Sequence, residues 1–175
     1  GNPEDVVLDG EYTTTEIVTI QASDVTVTAL SLYRAYTHGV HVTGGDGAHI
    51  SGTRLHDIVV LDPGEQAIKI NQNDDIWYAD EGEISCSRLE LTDAGRPHIR
   101  NTCYTGGVDA HKTRGWTIRD NHIEGFWCEV GLAEHGIHMW RQNADTIIER
   151  NTVIDCARGI GLGLVDSSGG VDREY

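Results

Sequence analysis

A short stretch in the second half of the chain brings together residue types that suit proton-transfer chemistry. Within "GVDAHKTRGW", six consecutive positions hold Asp109, His111, Lys112 and Arg114. An imidazole titrates near neutral pH and can act as a general base, while a neighbouring carboxylate can orient the ring. Lysine and arginine can stabilise negative charge that develops during a reaction. The stretch is therefore a candidate reaction centre, and the alternative is a solvated strand face on which opposite charges pair weakly.

Two alternating families of short apolar segments surround this stretch. The first family repeats two aliphatic residues five positions apart with a polar turn between them. Its members are Val27/Leu32, Ile50/Leu55, Ile84/Leu89, Ile118/Ile123 and Ile148/Val153. The second family consists of the short strands "GVHVT" from Gly39, "AIKIN" from Ala67, "GVDAH" from Gly107, "GIHMW" from Gly136 and "GIGLG" from Gly159. One supersecondary unit that repeats with variable loops is typical of a solenoid.

The repeat predicts an all-β fold, a right-handed parallel β-helix that forms a single-stranded solenoid of about five to six coils. Residues 1–175 are expected to form one domain, because no Pro- or Ser-rich linker divides them. An antiparallel sandwich or barrel is the main rival, but it needs tight Asp-Gly or Asn-Gly hairpins, for which "LDGEY" is the nearest case. We also expect Asn121 and Asn151, with Thr53 and Ser87 in earlier coils, to form a partial ladder at one turn.

The charge and hydropathy of the chain limit its partners. Lys and Arg total 13 against 28 Asp and Glu, so the formal net charge is −15. Nucleic acid and anionic membrane surfaces are therefore poor partners. No apolar run reaches the roughly 18 residues of a membrane span, and no signal-peptide pattern opens the chain. We expect a mature or truncated part of a longer solenoid, with an open end through which an oligomer can form.

The cysteines leave two outcomes open. Cys86, Cys103, Cys128 and Cys156 match no zinc-site spacing, and four cysteines allow three pairings. They can form one or two disulfides in an exported protein, or they can remain buried thiols. We expect a secreted, periplasmic or cell-surface location.

Alternation along the second family separates its inward from its outward residues. The outward residues between the apolar pairs are, in chain order, His41, Lys69, Asp109, His138 and Gly161. Adjacent coils lie about 4.8 Å apart, so this alignment predicts Lys69 beside Asp109 and Asp109 beside His138. The glycines that begin four of these strands are predicted to leave an open groove with a charged floor, which suits a sugar chain.

Three segments, "AIKIN", "GVDAHKTRGWTIRDN" and "EHGIHMW", together resemble the catalytic part of mannuronan C-5 epimerases within the pectin-lyase-like β-helix group. That family carries an Asp-Pro-His-acid motif, a lysine from the preceding coil and a histidine from the next. Asp109 and His111 match the motif, Lys69 matches the lysine, and His135 or His138 would supply the following histidine. Proline and acid of the motif are replaced by Ala110 and Lys112. Gly106 stands where the family has a tyrosine, and Tyr104 is the nearest substitute.

The resemblance, which spans roughly residues 65–165, implies removal of the C-5 proton from a uronate-containing acidic polysaccharide by a lyase or a C-5 epimerase. Lys69, helped by Lys112, Arg114 or Ca²⁺, would neutralise the substrate carboxylate. His111 is the candidate base. Asp109 would orient His111 or bind the substrate carboxylate in protonated form, and His138 or Tyr104 would supply the second proton. Candidate substrate-binding residues are Tyr104, Lys112, Arg114, His135, Trp140 and Arg141.

Other functions fit the same residues. A non-catalytic carbohydrate-binding or surface-adhesion β-helix would use the groove and Trp140 but would tolerate loss of Lys69 and His111. A glycoside hydrolase would pair Asp109 with Glu134 or Glu65. Two metal sites are also conceivable, with zinc or Ca²⁺. Zinc would use His111, His135 and His138, and Ca²⁺ the acidic residues Asp62, Asp74, Asp75, Asp80, Glu81 and Glu83.

Overall fold

A computed structural model describes residues 1–163, which form a stack of short β-strands. The strands are, in chain order, β1 (Val7–Asp9), β2 (Glu16–Ile20), β3 (Thr26–Tyr33), β4 (His38–Thr43), β5 (Ile50–Ser51), β6 (Arg54–Leu61), β7 (Gln66–Asn71), β8 (Ala79–Asp80), β9 (Glu83–Ser85), β10 (Arg88–Glu90), β11 (Gly106–Ala110), β12 (Thr117–Arg119), β13 (His122–Glu124), β14 (His135–Met139), β15 (Ile147–Glu149), β16 (Thr152–Ile154) and β17 (Arg158–Leu162). Two 3-10 helices cover Pro3–Asp5 and Arg96–His98. Within the described range, neither helix has the length and apolarity of a membrane span.

The strands form three sheets that run along the stack. The site sheet contains β2, β4, β7, β11, β14 and β17, each beside its counterpart in the next coil. A second sheet contains nine strands, and β5 and β8 form a third. The ladders between these strands are parallel throughout, for example β7 with β11 and β11 with β14. The architecture is a parallel β-helix, as predicted, and β2 adds a sixth member to the second family.

The register of the first family is correct in four segments and wrong in one. In the β3–β6 ladder, Val27 lies opposite Leu55 and Leu32 lies opposite Val60. The member in that coil is therefore Leu55/Val60 rather than Ile50/Leu55. Ile50, Leu55 and Val60 follow one another at five-residue intervals, so the spacing alone fits either pair. Ile50 instead begins β5, which pairs with β8.

A left-handed residue explains how aliphatic residues five positions apart both face the core. In a regular strand, residues separated by an odd number of positions point to opposite faces. Between the two aliphatic residues of each repeat lies one bend residue with φ between 52° and 57°, and this residue reverses the alternation. These bend residues are Ala29, Asp57, Cys86, Asp120 and Arg150. Both aliphatic side chains are consequently directed inward.

The side chain after the bend joins successive coils. Asn151 Oδ1 accepts hydrogen bonds from the Asn121 backbone N–H at 3.1 Å and from Asn121 Nδ2 at 3.0 Å. Asn121 Oδ1 accepts from the Ser87 backbone N–H at 3.0 Å, and Ser87 Oγ accepts from the Ile58 backbone N–H at 3.2 Å. The predicted ladder is confirmed for Asn121, Asn151 and Ser87. The prediction that Thr53 belongs to the ladder is wrong, because the corrected register places Ile58 at this turn position of that coil.

Three of the glycines that begin strands of the second family, Gly39, Gly107 and Gly136, face the core rather than an outer groove. A Cβ at Gly39 would lie 2.4 Å from Val60 Cγ1, and a Cβ at Gly107 would lie 2.7 Å from Ile123 Cγ2. Both Val60 and Ile123 are buried side chains of the nine-stranded sheet. The prediction that these glycines open a groove is wrong, since they instead allow the two sheets to pack closely.

Replacement of Gly107 by alanine tests this packing. Gly107→Ala is expected to lower the free energy of unfolding by about 1–3 kcal/mol, because the added methyl meets fixed neighbours. The closest of these is the Gly136 carbonyl oxygen, 2.4 Å from the Cβ position. Gly159→Ala is the matched control, since no atom of residues 1–163 outside its chain neighbours lies within 4 Å of its Cβ position. Chemical denaturation measures both variants, and an equal loss in the two would contradict the inward orientation of Gly107.

Candidate functional site

Three successive coils bring the main candidate residues together on the outer face of the site sheet. Asp109 of β11 lies opposite Lys69 of β7 on one side and opposite His138 of β14 on the other. This juxtaposition agrees with the alignment of the second family. Lys69, Asp109 and His138 are only 5%, 2% and 2% exposed, and His111 is also buried. The charged column is therefore not a solvated strand face.

Two loops border this face of the sheet. They comprise residues 99–105 and residues 125–134, and the Cys103–Cys128 disulfide joins them. The Glu134 backbone N–H also donates to the Thr105 carbonyl at 2.9 Å. Cys86 and Cys156 are free thiols, so the structure has one of the disulfide arrangements that the sequence left open.

The loops deliver Tyr104 and Glu134 to a cavity of about 110 Å³ above the charged column. The rest of its lining comes from strand residues and from positions that directly follow a strand. The lining residues are Tyr104, Asp109, His111, Glu134, His138 and Trp140. The prediction of an open groove is wrong at this point, because the charged floor lies beneath the loops.

Lys69 is the centre of the hydrogen-bond network. Its Nζ pairs with Asp109 Oδ2, donates to Tyr104 Oη at 3.0 Å and lies 3.1 Å from His111 Nε2. His111 Nε2 also lies 3.0 Å from Asp109 Oδ2. Burial favours the neutral amine, but the interactions with Asp109 and Tyr104 together outweigh it and raise the pKa of Lys69 above its ordinary value. Lys69 is therefore cationic at neutral pH.

Asp109 is a carboxylate in this environment. Burial alone would raise the pKa of Asp109, but contacts with His111 and His138 and the charge of Lys69 lower it well below its ordinary value. A protonated Asp109 that binds a substrate carboxylate does not fit this arrangement. The alternative expectation, in which Asp109 orients His111, agrees with the 3.0 Å contact between them.

The two histidines beside Asp109 differ in protonation. Burial lowers the pKa of His111 below its ordinary value, so that ring is neutral at pH 7. His138 Nδ1 lies 3.0 Å from Glu134 Oε2 and 3.4 Å from Asp109 Oδ1, without hydrogen-bond alignment. Burial would lower the pKa of His138 as well, but these two carboxylates raise it to about 9. His138 is therefore an imidazolium, and His111 is a free base.

Tyr104 reaches the cluster although it lies five positions before Asp109 in the chain. Burial raises the pKa of the Tyr104 phenol, and the opposing effect of Lys69 is smaller. The phenol is therefore protonated and accepts a hydrogen bond from Lys69 Nζ. Trp140 closes another side of the cavity, with its ring edge-on to His111 at 4.3 Å between centroids. The Arg141 guanidinium lies 5.1 Å from the Trp140 ring.

Lys112 and Arg114 do not join this cluster. The Lys112 side chain has no exposed surface, and its Nζ lies 3.4 Å from Asp75 Oδ1. Arg114 Nε donates to Asp145 Oδ2 at 2.7 Å on an exposed part of the coil. The structure therefore does not place them beside Lys69, where they were expected to assist in binding substrate. The regular alternation ends at His111, because Lys112 adopts a left-handed turn conformation with φ of 52°.

Among the described residues, the side chains that could hold a metal ion differ from the two sets expected from the sequence. The close group of possible ligands contains Glu134 with His135 and His138, and His111 is not part of it. The acidic residues suggested for Ca²⁺ do not converge in this way. Asp62, for example, accepts hydrogen bonds from the Thr92 backbone and side chain.

Sequence reasoning missed the residue that fixes the turn after His111. Asn143 Oδ1 accepts hydrogen bonds from the Thr113 backbone N–H at 3.0 Å and from Thr113 Oγ1 at 2.6 Å. Asn143 Nδ2 donates to the Ala110 carbonyl at 3.0 Å. The same signal that identified Asn121, an asparagine at a turn between coils, could have identified it.

The fold and the site together define a parallel β-helix with an ionic cluster enclosed between its site sheet and two linked loops. The sequence model of the right handed beta helix region family matches residues 15–171. The chain belongs to this family. Searches among curated proteins and among solved structures found no match. The β-helix is consistent with carbohydrate-active proteins generally, but the fold does not by itself fix an activity.

The protonation states of the two histidines are directly measurable. His138 is expected to remain an imidazolium at pH 7 and to lose its proton near pH 9, whereas His111 is neutral at pH 7. Nitrogen-15 NMR of the imidazole rings distinguishes these states. Asp109→Asn is expected to lower the pKa of His138, because one of its two neighbouring carboxylates is removed. Asp145→Asn serves as the control, since Asp145 pairs with Arg114. A neutral His138 in the wild-type protein at pH 7 would contradict the assignment.

Proposed function

We propose that this chain removes the C-5 proton of a uronate residue in an acidic polysaccharide, either as a lyase by β-elimination or as a C-5 epimerase. The observation that supports this function is the juxtaposition of three groups in complementary protonation states: two of them line the cavity, and the third, Lys69, contacts both. They are cationic Lys69, neutral His111 and the protonated phenol of Tyr104.

The first requirement of the reaction is neutralisation of the C-6 carboxylate. Loss of the C-5 proton places a second negative charge beside that carboxylate, and a buried cation stabilises such charge more than an exposed one does. Lys69 and His138 are the buried cations of the cluster, and Asp109 and Glu134 balance their charge. Arg141, which also acts electrostatically on His111, provides further positive charge.

The next requirement is a base and an acid at the same carbon. His111 is the base in this proposal, because its neutral ring can accept the C-5 proton. Tyr104 is the acid, because its phenol retains its proton. In a lyase Tyr104 would protonate the departing O-4, and in an epimerase it would protonate C-5 from the opposite face. Asp109 orients His111, and His138 contributes charge.

Substrate entry requires the two loops to move. A cavity of about 110 Å³ is smaller than the roughly 300–1,000 Å³ of typical ligand pockets. Because Cys103 and Cys128 join the loops, we expect the loops to move together. Val130 and Leu132 on the second loop are 79% and 60% exposed, so displacement of that segment uncovers little of the core.

Hydrolysis is less favoured by the same geometry. Glu134 and Asp109 both contact His138 Nδ1, and the contacts with His138 lower the pKa of Glu134. A glycoside hydrolase needs one carboxylic acid that keeps its proton, whereas both groups are carboxylates here. Glu65, the other candidate partner, contacts His38 and Asn101 instead.

The proposed substrate also indicates where in or outside the cell this protein acts. Acidic polysaccharides of this kind lie outside the cytoplasm, and a disulfide persists in an oxidising compartment. The Cys103–Cys128 bond therefore supports a secreted, periplasmic or cell-surface location.

Activity on alginate, pectate and glycosaminoglycans tests the proposal. Ultraviolet absorbance detects the unsaturated ends that a lyase forms, and proton NMR in D₂O detects solvent deuterium that an epimerase introduces at C-5. Either activity is expected to fall about 10²–10⁴-fold in His111→Ala, which lacks the base. Lys69→Ala is expected to lose activity as well, because the carboxylate is no longer neutralised.

His122→Ala is the matched control for this assay. His122 is a partly exposed histidine that pairs with Glu124 on the nine-stranded sheet, so its removal should leave activity unchanged. Absence of both products from the wild-type protein on every polymer, or full activity of His111→Ala, would overturn the proposed function.

A further inference from the structure

A second group of side chains with ligand chemistry lies at the start of β14. Glu134, His135 and His138 each offer one ligand atom, and these atoms lie within 4.8 Å of one another. Two imidazoles and one carboxylate form a donor set that suits Zn²⁺ and related ions. Hard cations such as Ca²⁺ and Mg²⁺ prefer oxygen ligands alone.

The polar atoms of this group lack hydrogen-bond partners among the described residues. Glu134 Oε2, His135 Nδ1 and both ring nitrogens of His138 are buried without a hydrogen bond. Buried polar atoms in native proteins normally have a partner, and an unsatisfied one is costly. His138 is 98% buried, since only 2% of its surface is exposed. A bound cation would satisfy these atoms together.

The neighbouring coil leaves room for the group. Gly161 of β17 lies opposite His138, so no side chain projects from that position. A Cβ there would lie 2.5 Å from His135 Nε2, which shows that the His135 ring rests on the glycine. The His135 and His138 ring centroids are 4.4 Å apart. Gly161 thus permits both imidazoles to approach the same point.

The carboxylates that favour the imidazolium form of metal-free His138 also favour a metal cation in place of its proton, which is released when the ring binds the ion. Glu134 Oε2 and Asp109 Oδ1 lie 3.0 Å and 3.4 Å from His138 Nδ1. Ligand atoms around a tetrahedral zinc ion, with bonds of about 2.0–2.2 Å, lie about 3.3–3.6 Å apart. The Glu134 and His138 atoms already have nearly this separation. The His135 donor atom lies within 4.8 Å of both, so the three donors converge on one region.

We propose that Glu134, His135 and His138 bind a divalent transition-metal ion of the Zn²⁺ class. Three protein ligands leave a coordination position for a fourth ligand. Glu134 and His138 also line the cavity, so that ligand can be Asp109 Oδ1 or an oxygen of a bound molecule. The proposal does not depend on the proposed function, because metal binding is measurable without any polysaccharide.

Isothermal titration calorimetry of untagged protein, first stripped with a chelator, tests the site with Zn²⁺. Visible absorption of the Co²⁺ form reports the coordination geometry. We expect one saturable site per chain and a tetrahedral Co²⁺ spectrum. His135→Gln is expected to weaken Zn²⁺ binding more than about tenfold, since even partners outside the coordination shell are worth roughly 10–100-fold.

His122→Gln is the matched control for metal binding. His122 Nε2 contacts Glu124 Oε2 at 2.7 Å, so this variant removes a histidine beside a carboxylate but outside the three-residue group. It should bind Zn²⁺ as the wild-type protein does. Thermal unfolding in metal-free buffer shows whether each variant is folded, and Glu134→Gln provides the test if His135→Gln is not.

Two results would overturn the site. One is a wild-type protein without saturable Zn²⁺ binding. The other is folded His135→Gln or Glu134→Gln protein that binds Zn²⁺ with the affinity of His122→Gln. Failure of the polysaccharide assay alone leaves this inference standing, and loss of the metal site leaves Lys69 and His111 available for the proposed reaction.

Discussion

The buried ion pair between Lys69 and Asp109 is the interaction on which the site depends. Both side chains are almost fully removed from water, so either one alone would be an uncompensated buried charge. Their pairing holds Lys69 cationic and Asp109 anionic, and it thereby sets the electrostatic environment of His111, Tyr104 and His138. The charges of Lys69 and Asp109 therefore stabilise each other through one contact between adjacent coils, while burial and Glu134 also act on the pKa values of the neighbouring groups. That contact is possible because parallel pairing brings the two residues into direct register.

The parts of the site that follow from strand periodicity were predictable. Alternation and coil stacking placed Lys69, Asp109 and His138 side by side, because each lies at the same position of a regular strand. Where regular structure ends, periodicity no longer determines direction. Lys112, one residue beyond His111, adopts a left-handed conformation and is buried beside Asp75, a contact that sequence alternation does not predict.

Strand periodicity could not predict the course of the two loops or the register of the coil that contains β6. Glu134 and Tyr104 enter the cavity from loops whose course depends on a disulfide and on tertiary contacts. The sequence suggested both residues as candidates but gave no geometry for either. The register error at Ile50 had a different cause, since five-residue spacing occurs twice in succession there and only strand pairing selects Leu55 and Val60.

The bend residues of the nine-stranded sheet have a consequence for how such a chain tolerates changes in length. Deletion of Asp120 would leave Ile118 and Ile123 four positions apart, whereas the aliphatic pairs of the two adjacent coils remain five apart, so β12 and β13 could no longer both pair in register. Added residues between β13 and β14 would leave that register intact, because they lie outside the paired strands. Changes in length therefore disrupt the nine-stranded sheet, whereas the loops beside the cavity can tolerate them. Reach and selectivity toward a bound molecule can consequently be altered by loop length alone, without any repacking of the interior.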